Sequence, residues 1–342
     1  MDELTTAIHT YLTTAPTSNF LQRSVDILDH WPGSSNLLWR VQRGSQEAVV
    51  KLYLDAGQAR GRRQFEGQQC FSPLGVAPQP LWFDRHPAGL ARQVLIYHWA
   101  PGVGVDAKNA AQMTALAQSL AQVHSGDPNT VHRFCPNPLN LDYLWRVLGG
   151  GLGSLNQWLL AQQATALQTY VATIAARANA LVEAALPLWQ GTPPTPVHGD
   201  LKLENVIDSF GVAVLLDWEL FGLGDPAYEV ATFLQVSQAE LAEDGQAMWL
   251  ENYLATFDQP GLAQRIGVYR RLLPFQAVTY LLHGLRQMAP NELSLVRETQ
   301  PFLAATLASA FQQAALVFQV EPVELEQPIQ ALFQSVLNQA TE

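Results

Sequence analysis

The sequence predicts an α+β fold with a small antiparallel-sheet N-terminal lobe and a large helical C-terminal lobe. Short apolar runs separated by turn residues fill residues 24–100, whereas Ala- and Leu-rich segments with helical spacing fill most of the remainder. The character of the chain changes at Ala100-Pro101-Gly102, and 342 residues are too many for one small core. We therefore expect two lobes, residues 1–100 and 101–342, with a leading helix within residues 1–23.

The N-terminal lobe is predicted to begin with an amphipathic helix over residues 2–14. A strand-strand-strand-helix-strand-strand order follows over residues 24–100. The first three strands lie in SVDILDHWPG, SNLLWRVQRG and QEAVVKLYL. The helix lies in QARGRRQFEGQQCFSPLG, where Pro73 and Gly75 end it, and the last two strands lie in PQPLWFD and ARQVLIYHW.

The C-terminal lobe is predicted to be helical except around one hairpin. Residues 106–124 have Ala and Leu at helical spacing, and a loop that contains Gly149-Gly150-Gly151 leads to a long helix over about residues 154–188. GTPPTP ends that helix. The segment VIDSFGVAVLLDW predicts a hairpin that turns at Ser209-Phe210-Gly211, and the chain from Tyr228 onward is predicted to be helical.

Composition excludes several classes of protein. The net charge of −11 disfavours nucleic-acid binding, which requires clustered Lys and Arg, and it is compatible with a cationic small substrate. Two distant cysteines, Cys70 and Cys135, form neither a disulfide framework nor a metal-site spacing. Neither a leader pattern nor an apolar run of about 18 residues is seen, so we expect a cytoplasmic protein without a membrane partner.

The segment HGDLKLENV, residues 198–206, carries the strongest chemical signal. The pattern His198-x-Asp200, followed by Asn205, is typical of the catalytic loop of kinases, and Asp217 follows the next apolar strand. Asp200 can take or orient the proton of an acceptor hydroxyl, and Asn205 and Asp217 can supply oxygen ligands to magnesium. The alternative is that these are ordinary polar loop residues.

Upstream residues fit the same chemistry. Lys51 ends the run AVVK on the third strand and could reach the phosphates of ATP, and Glu66 on the following helix could hold it. An exposed strand-end lysine and a solvated helix face are the alternatives. The turn Gly33-Ser34-Ser35-Asn36 could offer backbone N–H groups to phosphates. The backbone of Tyr97-His98-Trp99 could bind the adenine edge, or could belong to an ordinary edge strand.

Taken together, the chain resembles the aminoglycoside phosphotransferase and choline kinase-like enzymes, which share the protein-kinase-like fold. The resemblance spans about residues 24–235 and is carried by VHGDLKLENVI, VLLDWELFGLGDPAYEVA, GSSN, VVKLY and LIYHWAPG. It implies a nucleotide-binding N-terminal lobe, ATP and Mg²⁺, and transfer of the γ-phosphoryl group to a hydroxyl, or sometimes an amine, of a small molecule.

The resemblance also implies residue roles. Asp200 corresponds to the catalytic base, Asn205 and Asp217 to metal ligands, and Lys51 to the phosphate-binding lysine with Glu66 as its partner. His198 supports the site. Asp225 resembles an acidic residue that braces the catalytic loop, and an Asp before Pro is also a plain helix N-cap. The chain departs from the family at Lys202-Leu203-Glu204, at Glu229-Val230-Ala231, and at the serine that replaces the second glycine of the first loop.

Three other functions remain open at this level. A protein kinase is disfavoured because the loop has Gly199 where His-Arg-Asp has arginine, and because only seven residues separate Asp217 from Asp225. A nucleotide-binding pseudokinase without turnover typically lacks one of the catalytic residues that are present here. A purely structural or interaction protein does not explain the polar constellation.

The acceptor is not specified by any motif. We expect its pocket within the helices of residues 106–190 and 228–300. Aromatic and charged residues there could cage a quaternary amine, although most aromatic residues at helical spacing belong to cores; these residues are Tyr143, Trp145, Trp158, Tyr280, His283 and Arg286. Aminoglycosides, choline, other amino alcohols, sugars, thiamine and homoserine are all open.

Overall fold

The structure is a computed structural model, and it describes residues 3–14, 25–33, 35–55, 57–288 and 293–339. The strands are β1 Asp26–Pro32, β2 Asn36–Arg43, β3 Gln46–Tyr53, β4 Pro80–Asp84, β5 Val94–His98, β6 Val103–Gly104, β7 Thr195–Val197, β8 Val206–Ser209, β9 Val212–Leu215 and β10 Gly222–Gly224. The helices are α1 Glu3–Thr14, α2 Arg60–Phe71, α3 Ala110–His124, α4 Leu141–Ala161, α5 Thr165–Ala185, α6 Pro226–Val236, α7 Glu243–Thr256, α8 Leu262–Gln287, α9 Leu293–Val317 and α10 Glu326–Gln339.

The N-terminal strands form one antiparallel sheet in the order β1-β2-β3-β5-β4. Its buried face, which includes Trp39 and Val50, packs on Ile8 and Leu12 of α1. Side chains alternate across a strand, so Lys51, the neighbour of Val50, points to the opposite face. The predicted order of strands and helix over residues 24–100 is confirmed.

Two small sheets frame the segment around residue 200. β6, β8 and β9 form one of them, and β7 and β10 form the other. The hairpin of β8 and β9 turns at Phe210 and Gly211, which both have positive φ, so the predicted turn is confirmed. Residues 198–205 run from the end of β7 to the start of β8 and are therefore held at both ends by a strand.

The long helix predicted over residues 154–188 is wrong in its boundaries. The chain forms α4 and α5 instead, and Gln163 breaks the helix with a left-handed φ of 58°. The cluster Gly149-Gly150-Gly151 lies inside α4 and not in a loop. Close packing explains one of these glycines, because a Cβ at Gly151 would lie 2.6 Å from Nε2 of His283.

The segment Thr165–Trp189, which contains α5, is long and apolar enough to cross a membrane by length and composition alone. Core helices of soluble proteins pass the same test. Val171 and Ile174 are buried, and Arg177, near the middle of the helix, donates to the carbonyls of Phe318 and Gln319. These contacts describe α5 as a helix packed within a helical layer.

The chain divides into two compact units. The first comprises Met1–Leu139, Pro193–Glu229 and Val236–Gln259, and the second comprises Asn140–Thr192, Val230–Gln235 and Pro260–Glu342. The first unit contains all the described strands, and the second is helical. The division differs from the predicted break at residue 100, and the assignment of residues 1–100 as a nucleotide-binding lobe stays a prediction.

Candidate active site

The loop between β7 and β8 brings Asp200 and Asn205 together. The side-chain amide of Asn205 donates to the carbonyl oxygen of Asp200 at 2.9 Å and to its Oδ2 at 3.1 Å. The Asp200 side chain is 38% exposed, and its Oδ2 lies 3.2 Å from Nζ of Lys202. His198 is buried beneath the loop, with Nε2 2.7 Å from the carbonyl oxygen of Leu216. Asp200 is thus a positioned carboxylate that is open on one side.

Glu229 holds the backbone of this loop. Its buried carboxylate accepts the amide N–H groups of His198 and Gly199, and it lies 2.8 Å from Nε2 of His124. Burial alone would raise the pKa of Glu229, but the hydrogen bond from His124 and the charges nearby hold it below the ordinary value.

Asp225 has the helix-capping role that the sequence predicted, and its role as a brace of the loop stays a prediction. Its Oδ1 accepts the amide of Ala227 at 3.0 Å and so caps the start of α6. Glu229 lies one helical turn further on, where its longer side chain reaches the loop amides. The carboxylate that the structure places on the loop is therefore Glu229, which the sequence showed only as a departure from an Asp-Leu-Ala pattern.

Replacing Glu229 with alanine is expected to lower the free energy of unfolding by about 2–5 kcal/mol, because two buried N–H groups lose their acceptor. Glu229→Gln should lose less, since its amide oxygen can still accept one of them. The folded-state pKa is lowered, so the wild-type contribution is present above the ordinary value of 4.5 and is lost as the pH falls through the folded-state pKa. Denaturant unfolding of wild type and both variants across this acidic range measures the effect, and equal unfolding midpoints would contradict it.

Lys51 lies at the centre of a buried charge cluster. Its Nζ is 2.6 Å from Oδ1 of Asp217 and 2.5 Å from Oε1 of Glu219, and it donates to Oε1 of Gln64 at 3.0 Å. Lys51 is only 4% exposed. It is therefore neither an exposed strand-end lysine nor free of charge partners.

The predicted pairing of Lys51 with Glu66 is wrong. Glu66 instead pairs with Arg62 at 2.7 Å and with Arg133 at 3.2 Å. Residues two apart on a helix are rotated by about 200° around its axis and so lie on nearly opposite faces. Helix α2 therefore cannot turn both Gln64 and Glu66 toward Lys51. The structure assigns the inward position to Gln64, which is 1% exposed.

Asp217 adopts a left-handed conformation, with φ 61° and ψ 57°, just after β9. Burial would raise the pKa of Asp217, but the ammonium of Lys51 outweighs this effect and lowers it. Burial raises the pKa of Glu219, and Lys51 opposes that shift only in part. Two carboxylates thus share one ammonium, and Asp217 is the one held more firmly in its ionised form.

These groups line a cavity of about 390 Å³. Three predicted site residues from distant parts of the sequence line it together: Lys51, Asp200 and Asp217. Gly33, Ser35 and Asn36 of the first loop line it too, whereas Ser34 lies outside the described residues. The volume is within the range of small-molecule binding sites.

The first loop is tied to this cluster. The amide of Gly33 donates to the carbonyl oxygen of Asn36 at 2.9 Å, and a Cβ at Gly33 would lie 2.8 Å from that oxygen. The side chain of Asn36 donates to Oε1 of Glu219 at 2.6 Å. The single glycine of the loop is thus required by the tightness of the turn.

The segment Tyr97-His98-Trp99 is not an edge strand, because β5 lies between β3 and β4. The amide of His98 already donates to Gln79, and that of Trp99 donates to Glu47. Among the described residues, Ala100 is the next one along the chain, and its amide has no backbone hydrogen-bond partner. Contact of this segment with adenine stays a prediction, and these two amides do not supply its donor.

A second cavity, of about 630 Å³, adjoins the catalytic loop and shares Lys202 with the first. Three carboxylates line it, from Asp106, Glu204 and Glu240. Ser237 lines it as well, and its buried Oγ has no hydrogen-bond partner among the described residues. We call this cavity the acidic recess.

The aromatic residues predicted for an acceptor pocket lie in the second unit. Trp145 packs on Phe275 and donates to Asn179, and Arg286 donates to Ser154. Neither residue lines the two cavities above. Their role in acceptor binding stays a prediction.

The residues present fit a magnesium ion. The amide nitrogen of Asn205 is held by Asp200, so its carbonyl oxygen Oδ1 is turned away from these bonds, and no described residue donates to it. Together with the ionised carboxylate of Asp217, this gives the oxygen donors that magnesium prefers. Within the described residues there is no group of three or more His, Cys, Asp or Glu side chains that could hold a metal ion.

Comparison with known proteins points the same way. Residues 26–274 match the model of a family described as "Phosphotransferase enzyme family". An "Acyl-CoA dehydrogenase family member 11" from Pongo abelii is 24% identical over 237 residues, which are 62% of this chain. Because the match covers 28% of that relative, this chain corresponds to only part of its length.

Two solved structures show the same fold. A choline/ethanolamine kinase family protein from Mesorhizobium loti has a TM-score of 0.56 at 15% identity, with 97% of this chain and 99% of that chain covered. A thermostable mutant of aminoglycoside phosphotransferase APH(4)-Ia, in ternary complex with AMP-PNP and hygromycin B, has a TM-score of 0.57 at 16% identity, with 92% and 99% covered. The predicted protein-kinase-like, two-lobed α+β fold is thereby confirmed.

Proposed function

This chain belongs to the phosphotransferase enzyme family, and we propose that it is an ATP- and Mg²⁺-dependent kinase that phosphorylates a hydroxyl, or an amine, of a small acceptor molecule. The observation that carries the proposal is the cavity in which Lys51, Asp200 and Asp217 meet beside the first loop. A structural or interaction protein has no need of such a cluster. We place the enzyme in the cytoplasm, where both ATP and Mg²⁺ are abundant.

Each residue then has a distinct task. Lys51 steadies the phosphates of ATP, and Asn205 and Asp217 hold the metal. A bound magnesium ion supplies neutralisation of phosphate charge. Asp200 accepts the proton of the acceptor hydroxyl, and it is kept in place for this by Asn205 on one side and by the loop that Glu229 braces on the other.

We propose that the acceptor is cationic and that it binds in the acidic recess. The recess begins at Lys202, whose Nζ is 3.2 Å from Asp200, so an acceptor bound there lies beside the catalytic base. Its three carboxylates outnumber its two ammonium groups, and one of the latter, Lys202, is already paired. Neighbours named for choline, ethanolamine and aminoglycosides favour the same class.

The test of this function is Mg²⁺-dependent release of ADP from ATP, measured with and without acceptors. Aminoglycosides, choline, ethanolamine, thiamine, homoserine and sugars form the panel. Choline should be compared with its uncharged carbon isostere, 3,3-dimethylbutan-1-ol. Stimulation by one class of acceptor supports the proposal, whereas bound ATP without turnover for any acceptor or peptide favours a pseudokinase. Stimulation by peptides alone would favour a protein kinase.

Glu204→Gln in the acidic recess is expected to raise KM for a cationic acceptor about two- to fivefold, the usual range for an exposed charge contact. KM for ATP should stay unchanged, because Glu204 is not among the residues that line the nucleotide cavity. Glu183→Gln, a surface change in the second unit, is the control. An equal rise of KM for the charged acceptor and its uncharged isostere would contradict the electrostatic role.

A further inference from the structure

The environment of Lys51 combines one ammonium with two carboxylates and one neutral amide. The carboxylates belong to Asp217 and Glu219, and the amide to Gln64. These three side chains lie 2.5–3.0 Å from Nζ of Lys51. The net charge of the group is already −1, so a further carboxylate would be repelled.

Gln64 occupies a position that suits a carboxylate in shape. Its Oε1 accepts from Lys51 at 3.0 Å and from the hydroxyl of Tyr53 at 2.7 Å. Its side chain also makes a hydrogen bond with the buried hydroxyl of Tyr97. A neutral amide fills this position without adding charge to a group in which two carboxylates already share one ammonium.

Glu219 is placed to control where Lys51 points. Its side chain is 8% exposed, and it contacts Lys51, Asn36 of the first loop, and Arg60 at the start of α2. This inference rests on the proposed function, in which Asp217 is a ligand of the metal ion. Once Asp217 turns to a metal ion, Glu219 is the remaining carboxylate on Lys51.

We propose that Glu219 is the positioning residue of Lys51, in the role for which Glu66 was predicted, and that Gln64 is neutral because Glu219 is present. The carboxylate that orients the phosphate-binding lysine is thus supplied from the segment after β9 and not from α2. The same carboxylate holds the first loop through Asn36, so one side chain aligns two phosphate-binding elements.

The inference predicts that two substitutions, each harmful alone, compensate for each other when combined. Glu219→Gln removes the charge partner, and Gln64→Glu adds a third carboxylate beside the phosphates. Each single variant of the full-length protein is expected to weaken binding of Mg-AMP-PNP about tenfold or more. The double variant restores one inward carboxylate and should return to within about threefold of wild type. KM for ATP should follow the same order, with a smaller change in kcat.

Glu66→Gln is the matched control on the same helix, since Glu66 pairs with arginines and not with Lys51. Calorimetric titration with Mg-AMP-PNP gives the affinities, and thermal unfolding confirms that each variant is folded. Wild-type binding together with unchanged affinity in Glu219→Gln overturns the inference and leaves the proposed function standing. Additive losses in the double variant also overturn it, and a wild type that binds no nucleotide overturns both. Should Gln64→Glu fail to fold, the comparison of Glu219→Gln with Glu66→Gln still decides.

Discussion

Asp200→Asn is expected to lower kcat by about two to four orders of magnitude while ATP remains bound. Asparagine has nearly the same shape and can still accept the hydrogen bond from the Asn205 amide, but it cannot take up a proton from the acceptor. Lys202 would lose its ion pair with residue 200 and would remain in the cavity. The defect should therefore fall on the chemical step.

Single-turnover rates report on the chemical step, and affinity for Mg-AMP-PNP reports on nucleotide binding, so together they show which of the two is lost. Asp142→Asn, at an exposed aspartate that pairs only with Arg146 in the described structure, serves as the control. Turnover near the wild-type rate in Asp200→Asn would remove Asp200 from the role of base. Loss of nucleotide binding in Asp200→Asn would instead indicate that Asp200 helps to hold the metal or the phosphates.

Asp217→Asn is expected to lower kcat/KM for ATP by about two to three orders of magnitude at ordinary Mg²⁺ concentrations. The substitution removes the charged metal ligand and one of the two carboxylates on Lys51. Asparagine is the appropriate replacement, because it tolerates the left-handed conformation of residue 217 better than most side chains. The fold should therefore be preserved.

The distinguishing measurement is activity as a function of Mg²⁺ concentration. A weakened metal site requires more Mg²⁺ for half-maximal activity in Asp217→Asn, and excess metal should restore part of the lost rate. Asp208→Asn, on the neighbouring strand β8, is the control. An unchanged Mg²⁺ requirement with a normal rate would show that Asp217 is not a metal ligand.

The residues that sequence alone could predict are those fixed by short spacing. Asp200 and Asn205 lie in one loop, and Asp217 follows one hairpin later, so local geometry brings them together whatever the rest of the chain does. Lys51 was predicted because the run AVVK matches the V-A-I-K pattern of kinases and the downstream loop supplies the rest of that pattern. The five N-terminal strands were predictable for a related reason, since clear turn residues separate them.

The partners of these residues were not predictable in the same way. Helix α2 turns Gly61, Gln64, Gln68 and Phe71 inward. Because most of these are glycine or glutamine, hydropathy does not reveal which face is buried, and the charged Glu66 was assigned the inward position that Gln64 occupies. A reading of α2 by three- and four-residue spacing from Phe71 would have identified Gln64.

The boundary between α4 and α5 shows another limit. Glycines normally indicate a break, and the cluster at residues 149–151 was assigned to a loop. In the structure the break falls at Gln163, a residue type that gives no such signal. Tertiary packing accounts for Gly151 within α4, since the position of His283 against it cannot be read from the local sequence.

Gly199 limits the evolutionary routes open to the catalytic loop. Its φ of 92° and the carbonyl oxygen of Leu220, only 2.6 Å from where a Cβ would be, exclude a side chain at this position. The arginine of a His-Arg-Asp loop could therefore not be acquired by a single substitution, because the backbone after β9 would have to move first. Pairing of this loop with a phosphorylated segment through such an arginine would therefore require a concerted change of the backbone near Leu220.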